Sequence, residues 1–242
     1  MGHVEVHIWT GQFVDQGFQD SAYDAIETTL DGQLPFDIDA YKRATDFDTD
    51  GDSWSDIKPD FVDYVKNKLG KDPPDDHIHM ILIDDVFSRI GAGTTWGTEV
   101  QASPTPWDTG EAAASGVNVA VKVYVNNNCA GDGGRAFKNT VIHEALHTMM
   151  DRDKSPNNDE SDSGNDFPGV TEHSCGKIKV NADGEDDWVS PMQTWYSKNN
   201  CGENYDVDKN CNSTPNATRE GYSLVISQCT EDEVSDYHNY YE

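Results

Sequence analysis

Residues 135–150 read RAFKNTVIHEALHTMM, and no other stretch of the chain says as much about its fold. Ile142, Ala145, Leu146 and Met149 recur at i, i+3, i+4 and i+7, the spacing that lines one face of an α-helix. The stretch therefore predicts a helix with one buried face. On it His143 and His147 stand four residues apart on one side, so their imidazoles aim at a common point. Glu144 is turned from His143 by about 100° and reaches beside that point. Two imidazole nitrogens at about 2.0–2.1 Å suit zinc, and the adjacent carboxylate suits a water beside the metal.

Upstream, residues 3–10 alternate as a strand, with Val4, Val6 and Ile8 on one face and Glu5 and His7 on the other. Residues 20–30 place Ala22, Ala25, Ile26 and Leu30 at helical spacing, with Asp20 or Ser21 as cap. Residues 60–69 predict a second helix, its apolar side Phe61, Val62, Val65 and Leu69 and its stop Gly70. Residues 78–83 form a dense apolar strand. Residues 91–110, rich in Gly, Thr, Pro and Trp, read as loop. Residues 117–125 alternate valine against Asn118, Ala120, Lys122 and Tyr124, the pattern of an exposed edge or one-sided strand. Residues 128–134 are a turn into the helix, and residues 151–169 an acidic, polar loop after it. Residues 171–180 and 187–196 look partly buried, and the rest is irregular with short ordered pieces. Strands and helices interleave mainly before residue 150, which predicts a layered α/β (α+β) domain with its sheet against the helices.

Charge excludes whole classes of partner. With 17 Lys and Arg against 45 Asp and Glu, the net charge is −28, so the chain repels nucleic-acid phosphates and anionic membrane surfaces. No apolar run approaches the roughly 18 residues of a spanning helix, so no membrane insertion is expected. At 35% hydrophobic the chain still builds a core. Acid spread along its length with few lysines fits a halophilic surface, where salt screens the repulsion. Four of the five cysteines, Cys175, Cys201, Cys211 and Cys229, fall in the last third, with Cys129 left over. No CxxC pair indicates a zinc ribbon. Sequons at Asn212 and Asn216 lie in the same Cys-bounded tail, so we expect an exported, disulfide-tied protein although no signal peptide opens the sequence.

The H-E-x-x-H helix resembles that of the zincin metallopeptidases, and among them the metzincins, because Ser190-Pro191-Met192 downstream is similar to their Met-containing turn. The tyrosine of that turn falls two places late, at Tyr196. The resemblance covers residues 1–196. It implies a zincin-like fold, a mixed twisted sheet packed on the active-site helix, with a Cys-containing extension at 197–242 packed on the same domain. It also implies a zinc-dependent endopeptidase, expected as a monomer, acting on peptide or protein substrates, with Glu144 as general base and Met192 as floor under the metal. The family's third ligand place holds Asp153, but Met150 stands where the family has a turn-forming Gly. His173 is therefore preferred as third ligand, with Asp153 and Glu172 as alternatives. Residues 117–125 are expected to line the cleft and pair with an extended peptide.

Asp46, Asp48 and Asp50, followed by Gly51, form D-x-D-x-D-G, whose carboxylates converge on a hard cation such as calcium. Position 12 of an EF-hand holds Ile57, so the loop reads as a single structural site. The other histidines, His3, His7, His77, His79 and His238, read as structural. Two further readings stay open: a non-proteolytic zinc hydrolase of the same fold, and a calcium-stabilised surface protein with a vestigial H-E-x-x-H.

Overall fold

The computed structural model describes residues 3–44, 47–48, 54–84, 91–95, 112–119, 133–150, 178–180, 187–192, 204–205 and 217–241. Its centre is a five-stranded sheet of β1 (His3–Thr10), β2 (Asp37–Lys42), β3 (His77–Ile83), β4 (Gly91–Thr95) and β5 (Ala113–Asn118), in the order β2-β1-β3-β5-β4. The first four in that order are parallel, and β4 runs antiparallel to β5.

The alternation in β1 sorts the layers. Val4, Val6 and Ile8 are buried in the larger core with Ile38, Ile78, Met80, Leu82 and Val117. Against that face pack α1 (Gln16–Ala25) and α3 (Gly133–Leu146), through Ala22, Ala25, Ala136, Phe137, Val141, Ile142, Ala145 and Leu146. Trp9, Ile81, Ile83 and Ala114 point the other way and meet Ile57, Phe61, Val62 and Val65 of α2 (Trp54–Leu69). Each fully buried aliphatic side chain contributes about 1.5–3 kcal/mol, so both faces of the sheet hold their helices by burial. Successive strands joined through helices on opposite faces give an α/β sandwich of helix, sheet and helix.

Several boundaries move for identifiable reasons. α1 begins at Gln16 because Asp15 accepts from the Gly17 N–H at 2.7 Å, so Asp20 and Ser21 lie inside the helix rather than capping it. A π-turn, Ile26–Leu30, continues it. α2 starts at Trp54 and carries Pro59 inside it, and Gly70 with φ 69° ends it as expected. Part of the expected loop is strand β4. The largest correction is β5: it covers Ala113–Asn118, is buried throughout and lies between β3 and β4. It is therefore neither exposed nor an edge, and Val117 comes near its end. The small residues Ala113, Ala114, Ser115 and Gly116 do not read as an apolar strand, yet they fit between two packed layers. Residues 120–125 lie outside the described residues.

Beyond α3, β6 (Ile178–Val180), β7 (Asp187–Val189), β8 (Asn204–Tyr205) and β9 (Ala217–Tyr222) form a second sheet, ordered β6-β7-β9-β8. The chain ends in α4 (Gln228–Tyr241), a 14-residue helix where short irregular pieces were expected. Tyr222, Ile226 and Val234 join the larger core, and Asn139 of α3 donates to the Ser223 carbonyl at 2.6 Å. Among the described residues no helix is long and apolar enough to cross a membrane.

Candidate metal centre

His143 sits in the last turn of α3 and His147 just after it, where the chain tightens. His147 N–H still bonds the His143 carbonyl at 3.1 Å, but Thr148 and Met149 bond back only three residues, to Ala145 and Leu146. The two imidazoles meet edge to face, with centroids 4.4 Å apart. Their Nε2 atoms face each other at 2.9 Å. Glu144 is 4% exposed, and its Oε1 stands 3.8 Å from His143 Nε2.

The turn at Ser190, Pro191 and Met192 reaches this helix from 48 residues away. The Pro191 carbonyl, which can only accept, takes a hydrogen bond from His143 Nδ1–H. That bond puts the neutral ring's proton on Nδ1 and leaves the lone pair on Nε2. Met192 is wholly buried in the core that also holds Leu146, Met149 and Met150. A backbone carbonyl thus fixes the tautomer of one histidine, and an apolar side chain anchors the segment carrying that carbonyl.

The donor set fits a zinc ion. Two nitrogens facing at 2.9 Å need a proton or a cation between them. Zinc takes imidazole nitrogens at about 2.0–2.1 Å, and the Nε2 atoms of His143 and His147 would be two of its ligands. His173, Asp153, Glu172 and Tyr196 lie outside the described residues. So do Asp46 and Asp50 of the calcium-type loop, while Asp48 is exposed beside the buried Phe47. Cys129, Cys175, Cys201 and Cys211 are likewise outside, and Cys229 falls on α4.

A second histidine group escaped the reading of individual motifs. Parallel pairing of β1 with β3 sets His7 opposite His79 and Glu5 opposite His77. His7 and His79 are buried, at 1% and 0% exposed, and His7 stacks on His77 and His79 at centroid distances of 4.6 and 4.7 Å. One nitrogen from each ring lies within 4.8 Å of the others, close enough to suggest a metal. The hydrogen bonds argue otherwise. Arg43 Nε–H donates to His7 Nδ1 at 2.9 Å, and the Trp9 indole N–H donates to His79 Nδ1 at 3.1 Å. Guanidinium and indole only donate, so in these neutral rings the proton sits on Nε2, the atom a metal would take. His7 Nε2–H then donates to Glu5 Oε2 at 2.9 Å.

Burial first, then the Arg43 and His77 charges, lowers the pKa of His7 to about 3. Burial, then His7, His77 and Arg43, holds His79 well below the usual imidazole range. His77 is lowered by burial against the opposing pull of Glu5 and Asp76. The sequence signal was one histidine on β1 and two at alternating positions on β3, and its meaning depended on the register of the two strands. No protein-family model and no curated protein sequence matches the chain.

Proposed function

We propose that the protein is a zinc-dependent metalloendopeptidase of zincin-like, metzincin-like architecture. The observation that carries this reading is the His143–Pro191 hydrogen bond: a carbonyl on the Met192 turn orients an H-E-x-x-H histidine so that its Nε2 lone pair faces His147. A turn with the family's Ser and Met residues thus supports the helix that carries the family's histidines. His143 and His147 would hold zinc, with His173 as the third ligand and Asp153 or Glu172 as the alternatives.

When bound, zinc lowers the pKa of a water and polarises the scissile carbonyl. Glu144 then takes a proton from the attacking water and passes it to the leaving amine. Its burial keeps bulk water from competing for that proton. The peptide-pairing role moves from residues 117–125 to β4. That strand forms the outer edge of the sheet among the described residues and packs near α3. An extended substrate would add to this edge by β-augmentation. The acidic surface and the Cys-rich tail support export into concentrated salt, with the calcium-type loop as a structural site.

Casein and peptide hydrolysis in high salt, with and without a zinc chelator, tests the proposal. Chelator-sensitive cleavage restored by zinc is expected. Tight zinc without cleavage of any peptide would leave a non-proteolytic zinc hydrolase. Absence of tight zinc would overturn the enzyme reading.

A further inference from the structure

We propose that His7 and His79 form an acid-sensitive latch, which holds the β2-β1-β3 side of the sheet only while both rings are neutral. His7 Nδ1 accepts from Arg43, just beyond β2, and His79 of β3 accepts from Trp9 of β1. The two bonds thus cross both strand interfaces on this side. Arg43 N–H also bonds the Ile8 carbonyl at 2.8 Å, so the arginine is tied to β1 by backbone as well as side chain.

Protonation would place an N–H at each Nδ1. His7 would then oppose Arg43 donor to donor and positive to positive, and His79 would oppose the Trp9 N–H. Neither ring can escape into water, since both are buried and stacked.

The surrounding charged and titratable groups come from every packed element. Glu5 and His3 stand on β1, Asp39 and Tyr41 on β2 with Arg43 after it, Asp76 and His77 at the start of β3, Lys71 before it, and Tyr64 on α2 against Trp9. Glu5 accepts from His7 Nε2 in either protonation state and attracts an imidazolium, but burial and Arg43 act against the charge and prevail.

The sign follows. The unfolded rings protonate near pH 6.5, whereas folded His7 does so near 3. The unfolded chain therefore binds more protons in that window, and stability falls as pH drops through it.

The test compares unfolding of the wild type with His7→Gln/His79→Gln from pH 7 to 4.5, at constant high salt and zinc. Glutamine can accept from Arg43 and Trp9 through Oε1 yet does not titrate. Over that range the wild-type unfolding constant should rise about 100-fold more per latched ring than in the variant. Identical pH dependence would overturn the latch. Should the variant fail to fold, nitrogen NMR of wild-type imidazoles decides. Both rings should remain neutral with the proton on Nε2 down to pH 5, and a ring that titrates near 6.5 or carries Nδ1–H would contradict the proposal.

Discussion

Two groups of histidines lie on opposite faces of one sheet, and what their Nδ1 atoms face separates them. At His143 the partner is a carbonyl, which accepts and so leaves Nε2 free for a metal. At His7 and His79 the partners are a guanidinium and an indole, which donate and so put the proton on Nε2. Proximity does not tell these cases apart. Three imidazole nitrogens lie within 4.8 Å of one another in one group, and two lie 2.9 Å apart in the other. The hydrogen bond on the far side of the ring decides whether the near nitrogen is a ligand.

The largest expected effect lies in the chemistry beside the first group. Glu144→Gln should lower kcat roughly 10²–10⁴-fold while zinc content is unchanged, because proton transfer is lost and both histidines remain. Activity near wild type would remove Glu144 from the mechanism. Met192→Ala should cost about 2–5 kcal/mol in unfolding free energy. It should also loosen zinc by about 10-fold, since the Pro191 carbonyl loses its anchor. Lost stability with unchanged zinc affinity would separate the turn from the metal centre.

On the other face the effects are smaller. Trp9→Phe removes one donor, which should cost about 0.5–1.5 kcal/mol at pH 7. The deficit should be the same at pH 7 and pH 5, because burial holds His79 well below the usual imidazole range with or without the indole N–H. No deficit at either pH would mean that the indole N–H adds nothing beyond packing. Smallest is the effect at the acidic loop proposed as a calcium site. Calcium should raise the Tm of wild type more than that of Asp48→Ala, and an equal rise in both would remove the calcium proposal.

Local pattern made much of this legible. The alternation of β1, the apolar run of β3 and the buried face of α3 each follow from one stretch of sequence. α4 was hidden because its sequence is dominated by acidic and polar residues, although Val234 joins the larger core and His238 stacks on Phe36. The strand β5 was hidden because its alanines, serine and glycine carry little hydrophobic signal, although burial on both faces selects small side chains. The H-E-x-x-H pair was readable because helical geometry fixes the i, i+4 relation. The pairing of His7 with His79 needed the register of two strands about 70 residues apart, and the Pro191 bond needed a turn docked from another part of the chain. Contacts of that kind have no local signature.

Zinc content after exhaustive dialysis against a weak chelator tests the central claim most directly, since it needs no substrate. The wild type should retain one zinc per chain, His147→Ala none, and His7→Gln/His79→Gln one. Zinc retained by His147→Ala, or lost from the His7/His79 variant while it remains folded, would contradict the assignment of the metal to the α3 histidines.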